Sequence, residues 1–131
     1  MRSKTKSNKP PLIKRGDVCV VALDPVIGSE IKKTRPAVVI SNNHMNSLAQ
    51  TVIVMPMSTG THAYYHWIPI LPPEGGLKSA SRIVTDQVRT IDKKRIQKTI
   101  GKVSPRTLIL IEKAIRNNFA LPEGDILENR E

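Results

Sequence analysis

Arg35 stands at the entrance to the apolar run Ala37–Ile40, with Pro36 directly behind it. A guanidinium is always charged and carries five donors that match phosphate geometry, and a proline beside it restrains the backbone. The same residue also reads as a solvated cation at a strand start, since arginine is mostly exposed. Ser58 and Thr59 follow Pro56-Met57 at the end of a second apolar run. Their hydroxyls could face a substrate, or make the backbone contacts usual at strand ends. Asp86, in TDQVRT, lies within a strand pattern, where a buried carboxylate needs a partner such as Arg89 or a backbone donor.

Of four aromatic residues, Tyr64, Tyr65 and Trp67 fall in the single segment AYYHW. In a basic protein such a segment could stack unpaired bases, or equally cover a core or a dimer partner. His62 and His66 are four apart but not on a helical pattern, and no second ligand cluster accompanies them, so no metal site is expected. Phosphate-binding glycine loops, paired-carboxylate motifs and zinc spacings are absent, so no cofactor is expected either.

The charge favours a polyanionic partner. Twenty-one Lys and Arg face eleven acids in 131 residues, a net +10. Residues 1–13 are expected to be a flexible basic arm, and 122–131 an acidic tail around a single domain, 14–121. The cations Lys32, Lys33, Lys93, Lys94 and Arg95 lie inside that domain. Cys19 is the only cysteine, so no intrachain disulfide can form. With neither a membrane-spanning run nor a signal-peptide core evident, a reducing cytoplasm is the expected compartment.

These residues need a scaffold. Valine-rich 16–25, RPAVVIS, 50–57, the short WIPIL, 81–91 and 96–103 predict six strands. NNHMNS is read as a break between strands. Ser104-Pro105 predicts a helix start, with Leu108, Ile111, Ile115 and Phe119 on its apolar face. The fold class is mainly β with a C-terminal helix, a compact barrel-like sheet.

The segments KRGDV, VALDPVIGSE, KTRPAVVIS, TVIVMPMST and DQVRTIDKKRI, in this order and spacing, resemble the MazF/PemK/Kid family of toxin endoribonucleases over about residues 14–119. The resemblance implies the SH3-like small β-barrel of MazF, PemK and CcdB toxins. It also implies a homodimer, metal-independent and sequence-specific cleavage of single-stranded RNA, and a cognate antitoxin with an acidic segment. The family's catalytic arginine maps to Arg35 and its catalytic threonine to Ser58, although the usual Thr-Ser order is here Ser58-Thr59. A plasmid-borne branch uses an Arg, an Asp and a His. Asp86 matches that aspartate, whereas Val84 and Ser29 replace the other two.

RNA cleavage by its own 2′-hydroxyl needs a general base, for which Glu30 and Asp86 are candidates, and stabilisation of a phosphorane. Lys32, Lys33, Thr59, Tyr64, Tyr65, Gln87 and Arg89 are the expected RNA contacts. Two other classes share these features: a gyrase-poisoning toxin of the same fold, and a non-catalytic RNA-binding barrel.

Overall fold

A computed structural model describes residues 12–23, 34–60 and 67–122. Seven strands form one antiparallel sheet: β1 Asp17–Ala22, β2 Thr34–Val39, β3 Thr51–Ser58, β4 Ile68–Ile70, β5 Ser81–Ile83, β6 Arg89–Asp92 and β7 Ile96–Lys102. The order is β4-β5-β3-β2-β1-β7, with β6 also pairing with β3. The sheet is not closed; among the described residues β4, β6 and β7 each pair on one side only. A short helix α1 (Asn43–Leu48) bridges β2 and β3, and the longer helix α2 (Pro105–Asn118) follows β7. Among the described residues no helix is long and apolar enough to cross a membrane.

Alternation along the strands sorts the apolar residues onto two faces. Val18, Val38, Met55, Met57 and Ile83 gather on one face with Ile111 of α2, and Leu108 and Ile115 pack against them. Cys19, Val21, Ala37, Val39, Val52, Val54 and Ile91 gather on the other, with Ile13 and Leu23. Burial pushes the Cys19 thiol above its ordinary range, with Asp17 adding to the shift and contact with Thr99 opposing it.

Helix α2 begins where its sequence predicts. Ser104 caps it by accepting from Thr107 N–H, and Pro105 occupies the first turn. No acid of its own stands in that turn. Glu74, from a 3₁₀ turn thirty residues earlier, supplies one. Its Oε2 accepts from Ser104 N–H at 2.9 Å and from the Thr107 hydroxyl at 2.6 Å. Desolvation raises the pKa of this carboxyl, but the hydrogen bonds from Ser104 and Thr107 outweigh it and leave the pKa below the usual value. The 3₁₀ turn sits hard against β7: a Cβ on Gly101 would lie 2.5 Å from the carbonyl carbon of Gly75. Glycine is therefore required there by close approach of two backbones.

Four expectations need correction. The single strand over 81–91 is two, β5 and β6, with residues 84–88 leaving the ladder between them. Pro56 supplies the reason. In an antiparallel strand a residue's N–H and C=O face the same edge, and the Pro56 carbonyl accepts from Val84 N–H at 2.8 Å. The donor that proline lacks is thus missing on this edge, and pairing stops there. As a result Asp86 lies exposed in a turn rather than within a strand.

The segment read as a break, NNHMNS, contains α1. Asn42 caps it through Met45 N–H, and buried Asn46 exchanges hydrogen bonds with Ser41. Phe119, placed by spacing on the buried helix face, is 59% exposed because α2 ends at Asn118.

Candidate active site

Two prolines shape the site. Ile40 N–H donates to Ile53 O, so residues 40, 38 and 36 carry the rungs from β2 to β3. Pro36 cannot make its rung, and the ladder ends at Ala37↔Pro56. Continued by two residues, the same register sets Arg35 opposite Ser58, on one face of the sheet. Arg35 is exposed and is held from its other side by pairing with Val21 of β1. The prolines therefore leave an unladdered gap between a guanidinium and a hydroxyl.

Ser58 Oγ accepts from Gly60 N–H at 3.1 Å. A hydroxyl that accepts in this way retains its own hydrogen to donate. Thr59, one residue on, has left the strand and is exposed. On the other edge of β3, Ser58 pairs directly with Arg82 of β5. Sequence patterning gave no sign of Arg82, a lone cation in a short strand; only the register brings it beside Ser58. Neither the Arg35 nor the Arg82 guanidinium has a hydrogen-bond or ion-pair partner among the described residues.

The turn bearing Asp86 and Gln87 is anchored from two directions. Trp67 Nε1–H donates to Asp86 Oδ1 at 3.1 Å, and Asn118 of α2 donates to Thr85 O at 2.7 Å. Asp86 lines an open pocket with Val88, Asn118 and Phe119, while Gln87 is exposed. Trp67, grouped by sequence with possible base-stacking residues, is thus committed in part to fixing this carboxylate.

Arg89 and Arg95 converge on the end of β1. Arg89 Nη2 donates to Leu23 O at 2.8 Å, and Arg95 Nη1 to Ala22 O at 3.1 Å. Leu23 lies beyond the last β1–β2 pair, and β7 begins opposite Val21. The two guanidiniums therefore serve carbonyls at the strand end that have no ladder partner among the described residues. Glu30, Lys32, Lys33, Tyr64 and Tyr65 lie outside the described residues, as do His62 and His66. Among the described residues no group of three or more His, Cys, Asp or Glu is arranged to hold a metal ion.

The family pattern of the PemK-like, MazF-like toxin of type II toxin-antitoxin system matches residues 14–119. The chain belongs to this family. It is 33% identical over 121 residues to the endoribonuclease MazF of Staphylococcus epidermidis, covering 87% of this chain and 97% of that protein. It is 32% identical over 117 residues to the endoribonuclease EndoA of Bacillus subtilis, covering 84% and 97%. Among solved structures, a MazE–MazF crystal structure from Deinococcus radiodurans superposes with a TM-score of 0.74 at 18% identity, over 86% of this chain and 99% of that one. A mycobacterial endoribonuclease in complex with its cognate antitoxin gives 0.67 at 22%, over 86% and 97%. These likenesses support the fold: an antiparallel sheet with a C-terminal helix. Membership of the family makes the chain a toxin endoribonuclease of the type II class.

Proposed function

We propose that the chain cleaves single-stranded RNA at short sequences, without a metal ion, using Arg35 and Ser58. The observation that carries this is the β2–β3 register, which sets Arg35 opposite Ser58 when continued two residues past its last pair, Ala37↔Pro56. In the reaction the 2′-oxygen bonds to the adjacent phosphorus and the bond from phosphorus to the 5′-oxygen breaks. The products are a 2′,3′-cyclic phosphate and a 5′-hydroxyl. A base takes the 2′ proton, and a proton is returned to the leaving 5′-oxygen.

Arg35 meets the negative charge that grows on the phosphorane, where preorganised cationic donors have their largest effect. Ser58 donates to a nonbridging oxygen. Glu30 or Asp86 takes the proton; Asp86 already holds a fixed orientation through Trp67. Lys32, Lys33, Thr59, Tyr64, Tyr65 and Gln87 contact the strand.

The same reading gives a homodimer acting in the cytoplasm, with its domain over residues 14–121. It also gives a cognate antitoxin whose acidic segment covers the RNA groove, since closely spaced carboxylates and phosphates attract the same cations. The test is incubation of the purified protein with a long RNA in EDTA, followed by mapping of the cut ends. Cyclic phosphate and 5′-hydroxyl ends at recurring short sequences are expected. Uncut RNA, or 5′-phosphate ends, would overturn the reading.

A further inference from the structure

The row of residues that crosses the sheet at Ser58 is asymmetric in what it requires. From β3 to β4 it reads Ser58, Arg82 and Pro69, each opposite the next. The β2–β3 register, continued two residues past its last pair, brings Arg35 to the other side of Ser58. Directly opposed residues of antiparallel strands share a face, with Cβ atoms about 4.5–5.5 Å apart. Ser58 is therefore directly opposed by Arg82, while Arg35 lies on its other side, just beyond the end of the β2–β3 ladder.

Arg82 is the less expected of the two. It is half-buried between the buried residues Ser81 and Ile83 of a three-residue strand. Arginine is not among the residues enriched in strands, and a part-desolvated guanidinium ordinarily finds a carboxylate or carbonyl. Arg82 has neither among the described residues. The contrast with Arg89 and Arg95, whose donors are engaged by backbone carbonyls, is internal to this molecule.

We propose that Arg82 is a second phosphate-binding residue of the RNA site, holding a backbone phosphate from the β5 side of Ser58 while Arg35 acts from the β2 side. This rests on the reading of the Arg35–Ser58 site as the place of RNA cleavage. Arginine's planar fork suits the task, because two of its donors can engage two phosphate oxygens at once. Its location fits binding more than chemistry. Pro69 pairs with it on the edge strand, so the cation lies on the side of Ser58 away from Arg35, where it can hold a phosphate other than the one that reacts.

The probe is a short RNA spanning a mapped cleavage site, with a 2′-O-methyl group at the attacking position so that it binds without being cut. Its affinity is measured across a range of salt for the wild type, Arg82→Ala, Arg82→Gln, Arg82→Lys and Arg35→Ala, with cleavage of the unmodified RNA and thermal melting alongside. Loss of one phosphate contact to a single strand should lower the log–log salt slope by about 0.7. Arg82→Ala and Arg82→Gln should both show this change, with affinity down about tenfold near physiological salt. Arg82→Lys should keep the wild-type slope, because it keeps the charge.

Wild-type affinity and slope in a folded neutral variant would overturn the proposal. So would weakened binding at an unchanged slope with a lowered melting temperature, which is the behaviour of a packing residue. If Arg82→Ala does not fold, Arg82→Gln decides on the same criteria, and a changed slope in Arg82→Lys would count against the proposal independently. Arg35→Ala separates the two readings. Undiminished cleavage by that variant refutes the catalytic site, whereas abolished cleavage alongside an unaffected Arg82→Ala refutes only the second phosphate contact.

Discussion

Followed along β1, the sheet has two ends that treat charge in opposite ways. Near Asp17, where β7 leaves for α2, polar groups are matched. Glu74 accepts from Ser104 and Thr107, Gly16 exchanges backbone hydrogen bonds with Val39 and Val103, and Arg15 meets Glu112 at 2.8 Å. Near Val21, Arg35 is the second residue of β2, β3 closes on Ser58, and Arg82 pairs with Ser58. Here two guanidiniums have no acid among the described residues. A matched end stabilises a fold; an end with unmatched cations is prepared for an anion that arrives from outside.

The sharpest way to break this contrast is to remove the cation at the unmatched end. Arg35→Ala should reduce RNA cleavage by about 10²-fold or more, as loss of a principal electrostatic donor does. The side chain is exposed, so the melting temperature should stay within a degree or two of the wild type. A folded variant that cleaves normally would place the chemistry elsewhere.

Ser58→Ala follows in size. Removing a hydrogen bond to a charged oxygen costs about 1.5–3 kcal/mol, or roughly tenfold to a hundredfold in rate. Thr59→Ala should cost less than about threefold, because Thr59 lies outside β3, whereas Ser58 is its last residue and keeps the strand register. Single-turnover rates on one RNA compare the two. The reverse ranking would mean that the catalytic hydroxyl sits one residue later than the register sets it.

At the matched end the expected effects are on stability alone. Gly101→Ala forces a methyl group into the Gly75–Gly76 backbone, where neither side can yield cheaply. A loss of about 1–3 kcal/mol, the usual range for overpacking, should appear in denaturant unfolding. Cleavage per folded molecule should not change. If activity fell in step with stability, the two ends would be coupled rather than separate.

What was legible in the sequence follows the same division. The start of α2 was readable because its signal, Ser104-Pro105, is local, and the strands were readable from their valine-rich runs. Arg35 and Ser58 are proposed from their place in a family pattern. The break at residues 84–88 was not, because its cause, Pro56, lies on a different strand and acts through a missing donor. Arg82 was hidden for a related reason: nothing adjacent in sequence marks it, and only pairing with Ser58 gives it meaning. Glu74 was equally invisible, since the helix it serves begins thirty residues later. Phe119 misled because spacing does not tell where a helix ends.

Glu74 gives the smallest effect, and one with a definite pH signature. Its carboxyl has a pKa below the ordinary value in the folded state, because the Ser104 and Thr107 hydrogen bonds outweigh the cost of desolvation. A carboxyl lowered on folding contributes stability that is fully present above its unfolded pKa, about 4.3, and lost as pH falls through the lower folded value. Glu74→Gln keeps an acceptor oxygen but removes the charge from the start of α2. The variant should be less stable than the wild type by about 1 kcal/mol at neutral pH, the scale of a part-exposed anion at a helix N-terminus. The gap should narrow through the acid range and close once the wild-type carboxylate is protonated. Urea unfolding at a series of pH values measures it. A difference that persisted unchanged at the acid limit would show that Glu74 acts through shape rather than charge, and the matched end would then owe its stability to packing.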